Sequence, residues 1–319
     1  MKSMKSRCLF MIVCALAVPC MLNAAGLSTS WQASVGEGAA NRPMPIWSGG
    51  VLVTLDAYGT LAPHFVWYDK SANIVGQTTL SIPGAVYVLV RSYAHAPDGA
   101  TVACGSATDA QGRTGTYVAT LPGNGGPTNI VRTSPYSPQR IAITSDGSVW
   151  TVGYEPKAGA RQSQPEPTAN IVRRWDRNGN LTGSWLPQSS LADAFRTLAF
   201  DNAFAASPTG VVWYSSYTGT LTEVSLTGQV SQISAPLPGG SAFHLMGMTV
   251  TDSGKVVVAY KNISHWGVMV LDRTPNQWKE IQGGPKPGGL DFFIYGSDAD
   301  NVVGRLGGRP GDFTAFSVN

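Results

Sequence analysis

Asp146 to Val152, reading DGSVWTV, is one copy of a phrase that returns along the chain: a turn ending in a small residue, then a short run of β-branched or aromatic residues. The other copies are Gly49-Gly50 followed by VLVTL, Asp98-Gly99 by ATVAC, Thr209-Gly210 by VVWYS and Ser253-Gly254 by KVVVA, with a weaker sixth at Asp300-Asn301 followed by VVGRL. The turn residues stand at 50, 99, 147, 210, 254 and 301, at intervals of 49, 48, 63, 44 and 47. A period of this size is that of a propeller blade. The expected fold is all-β: a six-bladed β-propeller of four-stranded antiparallel blades.

The register within each copy predicts the core. Three residues past the turn lie Val53, Val102, Trp150, Trp213 and Val257, which share one face of equivalent strands because side chains alternate with period two. The intervening Leu52, Thr101, Val149, Val212 and Val256 are also mostly apolar, so these strands are covered on both faces. Five residues past the turn come Leu55, Cys104, Val152, Ser215 and Ala259, which makes Cys104 a buried structural thiol.

Each copy extends into a meander. In the third blade the strands are expected at 140–144, 148–154, 171–176 and 181–186, the last two joined by Asp176-Arg177-Asn178-Gly179 with Asn-Gly supplying the positive φ angles of a tight hairpin. Comparable phrases are WYDKSANIVG at 67–76, EVSLTGQVSQI at 223–233 and VLDRTPNQWKEI at 270–281. The long third interval contains 155–168, rich in Pro, Gln and Lys, which reads as an exposed loop insertion and not a domain boundary. After Asn301 there is room for only two strands, so the last blade is one short. The stretch 27–35 supplies it: Leu27, Thr29, Trp31, Ala33 and Val35 alternate with polar residues, as an outer strand closing the ring requires. The roughly 294 residues after position 25 divide into six units of about 49.

The N-terminal residues 1–25 read as a signal peptide. Lys2, Lys5 and Arg7 precede a mostly apolar run from Cys8 to Leu22, and Ala24-Ala25 offers a cleavage site. The expected mature protein is one domain, 26–319, exported to the periplasm or the outside, with no transmembrane anchor after processing. Cleavage removes Cys8, Cys14 and Cys20, so Cys104 has no internal disulfide partner. With 37 Gly, 21 Pro and 13% charged residues the composition is that of short strands and tight turns. The net charge is only +3, and the most basic stretch, Arg173-Arg174 with Arg177, contains Asp176, which argues against nucleic acid as a partner.

The phrase SPQRIAITSDGSVWTVGYE, 137–155, resembles the blade phrase of the NHL-repeat, gluconolactonase-like and virginiamycin-lyase-like six-bladed propellers, and the likeness extends in diluted form over most of the chain. That superfamily holds metal-dependent lactonases, lyases and non-catalytic binding propellers, so the fold does not choose between them. Gly36-Glu37-Gly38 resembles the glycine-flanked glutamate that supplies one metal ligand in the gluconolactonase-like family, which makes Glu37 the metal candidate. The proline and tryptophan expected after it are replaced by Ala39 and Ala40, and the companion asparagine pair is missing. A divalent cation, Ca or Mg, belongs to the enzyme reading alone; otherwise no cofactor is expected.

Blade geometry nominates further channel residues at the starts of inner strands: Arg140, Arg196, His244 and Asp291, with Glu155 at the end of a second strand. His244 and Asp291 are 47 residues apart, one blade period, and on adjacent blades would form an orienting pair for acid/base work. In the plain structural reading these side chains satisfy one another and trapped water in a polar channel. His64, His95 and His265 lie at turns or strand ends without neighbouring ligands, so zinc is not expected. Tyr136, Trp185, Trp266 and Trp278 fall outside the core register and are expected at the surface, where they would dock a carbohydrate or protein ligand. The reading reached is a monomeric, exported, non-catalytic binding or scaffold propeller, with a metal-dependent lactonase or lyase as the alternative.

Overall fold

The computed structural model describes residues 27–35, 45–56, 60–123, 125–159, 164–191, 202–238, 244–285, 292–307 and 311–318. The candidate signal peptide, Glu37, Arg196 and Asp291 lie outside the described residues.

The described chain is a β-propeller of antiparallel sheets. β1 (Leu27–Ser34), β2 (Ile46–Ser48), β3 (Val51–Asp56), β4 (His64–Tyr68) and β5 (Ile74–Thr79) belong to one eight-stranded sheet with β22 (Phe292–Asp298), β23 (Asn301–Leu306) and β24 (Asp312–Val318), in the order β1-β24-β23-β22-β2-β3-β4-β5. The second sheet is β6 (Ala85–His95), β7 (Thr101–Asp109), β8 (Thr114–Leu121) and β9 (Asn129–Arg132). The third is β10 (Ser137–Ile143), β11 (Val149–Tyr154), β12 (Asn170–Trp175) and β13 (Leu181–Pro187). The fourth is β14 (Asn202–Ser207), β15 (Gly210–Ser215), β16 (Thr220–Ser225) and β17 (Val230–Ser234). The fifth is β18 (His244–Val250), β19 (Val256–Lys261), β20 (His265–Asp272) and β21 (Gln277–Pro285). Every pairing is antiparallel except one bridge in the eight-stranded sheet, where Trp47 of β2 meets Gly296 of β22 in parallel. β10 begins three residues before the expected start, which places Arg140 in mid-strand.

The repeated phrase marks the core, but its fourth copy is out of register by one residue. Val53, Val102, Trp150 and Val257 pack toward the following sheet, whereas Trp213 packs back onto the third sheet and Val212 and Tyr214 pack toward the fifth. Val53, Val102, Trp150 and Val257 are fully buried and Trp213 nearly so, and the intervening Leu52, Thr101, Val149, Val212 and Val256 are buried with them. Both faces of these second strands therefore pack against neighbouring sheets. Trp150 and Trp213, for instance, share one apolar cluster that joins the third sheet to the fourth.

The turns preceding that register vary more than the sequence suggests. Gly99, Gly147 and Gly254 take φ near +80° to +90° in one shared turn, closed for example by Thr144 N–H donating to Ser148 C=O at 3.0 Å. At the fourth copy Ser207 pairs directly with Gly210, and at the sixth Asp298 pairs with Asn301 across Ala299 at φ 52°. Both are two-residue hairpins. At Asp176–Asn180 the expected pair of positive φ angles is absent: only Gly179 is left-handed, at 84°, and the turn is held by the Asp176 carboxylate accepting from the Asn180 backbone N–H at 2.8 Å and side-chain amide at 2.7 Å.

β1 pairs with β24 from Leu27↔Val318 to Ser34↔Asp312. A bulge between Thr29 and Trp31 breaks the expected single apolar face. One extra residue flips the side chains that follow. Leu27 packs with Phe292 and Phe316, whereas Trp31, Ala33 and Val35 pack on the other side with Trp47 and Phe313.

Candidate functional site

Bulges interrupt the first strands of four of the blades. β6, β10, β18 and β22 each carry a bulge at one shared register, at Arg91, Gln139, Met246 and Tyr295. A bulge re-aims the side chain at that point. In β6, β10 and β22 it also crowds the partner strand, which holds glycine opposite. At Gly105, Gly153 and Gly304 an added β-carbon would collide with the carbonyl oxygens of Leu89, Ser137 and Phe293.

Arg91 Nη1 donates to Ser137 Oγ at 2.8 Å, and Gln139 Nε2 donates to the same oxygen at 3.0 Å. Arg140 Nη1 donates to Gln139 C=O at 3.0 Å. Cys104 is fully buried below them, and burial pushes its thiol up to about 12 despite the two guanidiniums. It is a core residue in chemistry as well as in position.

Glu155 serves the insertion. Its carboxylate accepts from Arg173 Nη2 at 2.7 Å, and the Arg173 guanidinium lies over the Tyr136 ring at 3.8 Å. Its backbone is clasped by buried Gln188, whose Oε1 accepts from Glu155 N–H at 2.9 Å and whose Nε2 donates to Glu155 C=O at 2.9 Å. The segment after Tyr154 is thus folded back on itself, with Glu166 N–H donating to Glu155 C=O and Lys157 N–H to Gln164 C=O, each at 2.8 Å.

His244 is exposed at the start of β18, opposite Lys261. His265 has a carboxylate neighbour after all: its Nε2 stands 3.0 Å from Glu280 Oε2, which also accepts from Tyr260 OH at 3.3 Å. His95 is buried against the Trp67 ring with Nδ1 2.9 Å from Thr101 Oγ1, and burial lowers its pKa to about 4.

Of the four aromatics expected at the surface, Tyr136 and Trp266 are buried and Trp185 and Trp278 are partly buried. Tyr136 is fully buried, its OH donating to Ile171 C=O at 2.8 Å, and Trp266 is 7% exposed. Trp185 stacks on Trp150 with centroids 5.2 Å apart, and Trp278 lies edge-on to Tyr214. Third and fourth strands fold over the core residues of the second, a long-range contact that the local register does not report.

Two concavities are formed by described residues. One, of about 460 Å³, lies at the downstream ends of β2, β6, β10, β14, β18 and β22. The other, about 710 Å³, opens on the second sheet between the segment Ile82–Ala85, the β7–β8 hairpin and the end of β9. Its polar lining includes Asp109, Gln111, Arg113, Thr114, Arg132 and Ser134. None of these was singled out from sequence. The one available signal was the phrase Asp109-Ala110-Gln111-Gly112-Arg113, in which Asp109 Oδ1 accepts from the backbone N–H of Gln111 and Arg113 at 3.0 and 2.9 Å. This caps a hairpin that lifts β7 and β8 beyond the β9 strand.

No protein-family model matches the chain, and no curated protein matches it in sequence. Among solved structures it is similar to virginiamycin B lyase from Staphylococcus aureus, at 11% identity over 90% of this chain and 97% of that one, with a TM-score of 0.47. It is also similar to a gluconolactonase from Xanthomonas campestris, at 16% identity over 93% and 95%, with a TM-score of 0.48. A third is the major Malassezia sympodialis allergen Mala s 1, at 9% identity over 91% and 97%, with a TM-score of 0.49.

Proposed function

We propose that this chain is an exported, monomeric, six-bladed β-propeller acting as a non-catalytic binding protein, with its ligand seated in the groove on the second sheet. The six-blade count is supported by the eight-stranded sheet, which divides at its one parallel bridge into β2–β5 and β22–β24 with β1, four strands each. The β1–β24 pairing supports ring closure by the N-terminal strand. The observation that carries the binding reading is the groove itself. It is a roughly 710 Å³ concavity with exposed hydrogen-bonding groups and arginines, built on strands longer than the core register needs. Ligand sites combine a preformed concavity with a few placed polar groups in this way. Glu155, one of the sequence candidates, is paired with Arg173 and committed to holding the insertion.

The test is binding of the protein to arrayed peptides and glycans, beside a Gly115→Trp variant that fills the groove; Gly115 has room for a β-carbon, 3.7 Å from Ser134 Oγ. The expected result is a ligand retained by the wild type and lost by the variant, with no hydrolysis of aldonolactones. Divalent-cation-dependent lactone hydrolysis lost on Glu37→Ala would overturn the reading in favour of a metal-dependent lactonase.

A further inference from the structure

We infer that the groove on the second sheet receives an extended, acidic peptide segment, which adds to the open upper edge of β8 as a strand in line with β9. This rests on the groove being the binding site.

β8 spans eight residues, but β9 pairs only with Tyr117 to Thr120. Above that point the chain turns away: Thr133 N–H donates to Thr116 C=O at 2.9 Å, and Ser134 Oγ accepts from Thr116 N–H at 2.9 Å. Both backbone groups of Thr116 therefore point away from β7. In an antiparallel ladder these directions alternate, so the N–H and C=O of Thr114 point the same way. Thr114 is exposed, and no hydrogen bond to its outward backbone groups is made among the described residues. The result is a short unpaired edge at Thr114 bordering a cavity of about 710 Å³, the arrangement that strand-adding recognition uses.

Side-chain chemistry selects the occupant. An added strand directs alternate side chains to opposite sides. Ile82, Ala85, Ala107 and Ile130 give the groove an apolar wall, and Arg132 stands exposed at its lower end. The groove carboxylate, Asp109, is held by Arg113 Nε at 2.7 Å and by two backbone N–H groups. Arg132 leaves the groove net positive and favours an acidic side chain.

Calorimetric titration of the protein tests this with three probes: a hexapeptide of alternating valine and glutamate, the same peptide N-methylated on alternate residues, and hexagalacturonate. The account expects the first to bind and the second to fail. Thr114→Pro removes one outward N–H that the fold does not use, and should weaken the first by about tenfold or more at unchanged melting temperature. Arg132→Ser should weaken it about three- to tenfold and flatten its salt dependence. Equal binding of plain and N-methylated peptides would overturn strand addition without any variant having to fold. Binding of hexagalacturonate but not of the peptide, lost in Gly115→Trp, would overturn the inference while the groove reading stands.

Discussion

In the fourth sheet, β14 and β15 are six residues each and pair without interruption from Asn202↔Ser215 to Ser207↔Gly210. In the second sheet, β6 runs eleven residues and β7 nine, and the pairing is broken by bulges at Val86 and Arg91. Yet the second strands of both sheets are buried at equivalent positions: Val102 and Cys104 in the second sheet, Val212 and Tyr214 in the fourth, all pack toward the following sheet. What differs lies above the shared register. The fourth sheet ends where its core ends, whereas the second continues into a capped hairpin and a groove. The shared part is therefore the scaffold, and the overhang is the part free to recognise something.

The largest effect should come from the scaffold half of this comparison. Trp213→Ala removes a nearly fully buried indole between the third and fourth sheets and should cost about 3–5 kcal/mol in chemical denaturation. A loss below about 1 kcal/mol would mean that the register does not define the core.

The second sheet should show a pH signature that the fourth does not. His95 is held neutral by burial, with its pKa lowered from 6.5 to about 4. The unfolded chain binds the proton more readily, so stability is undiminished above about pH 6.5 and falls as the pH drops toward 4, by about 2–3 kcal/mol. Replacing His95 with Gln should flatten that segment of the stability profile, read from denaturation midpoints across pH.

Gly105→Ala addresses the bulge that the fourth sheet lacks. The new β-carbon meets the Leu89 carbonyl, so backbone must shift, at a cost of roughly 1–3 kcal/mol in thermal unfolding. The smallest effect has the opposite sign. Ser215, at the end of β15, has a fully buried hydroxyl with no hydrogen-bond partner among the described residues, so Ser215→Ala should raise stability by about 1 kcal/mol. Destabilisation there would point to a partner for that hydroxyl.

The scaffold was legible because its signal is local and repeated. The third sheet's strands fall within a few residues of their expected positions, and the buried positions follow from counting past a turn glycine. The overhang was hidden because the second repeat is no longer than its neighbours: its extra strand residues are drawn from shortened connections, so the interval from 99 to 147 stays at 48. Bulges leave no mark in a period-two pattern until a partner strand is known, which is why Leu27 and Trp31 read as one face and pack on two. The aromatics failed for a related reason. Trp185 is partly covered, and Tyr136 fully covered, with the help of residues distant in sequence, Trp150 and Arg173, that no local count brings together.

The separation of scaffold from overhang is tested most directly by replacing Thr108 to Thr114 with Asn-Gly. Ala107 and Gly115 already face each other across the ladder, so a two-residue hairpin turn can join them. Melting temperature and ligand binding are then measured on the same sample. The account predicts a melting temperature within a few degrees of wild type and complete loss of the groove ligand. Retained binding, or collapse of the fold, would contradict it.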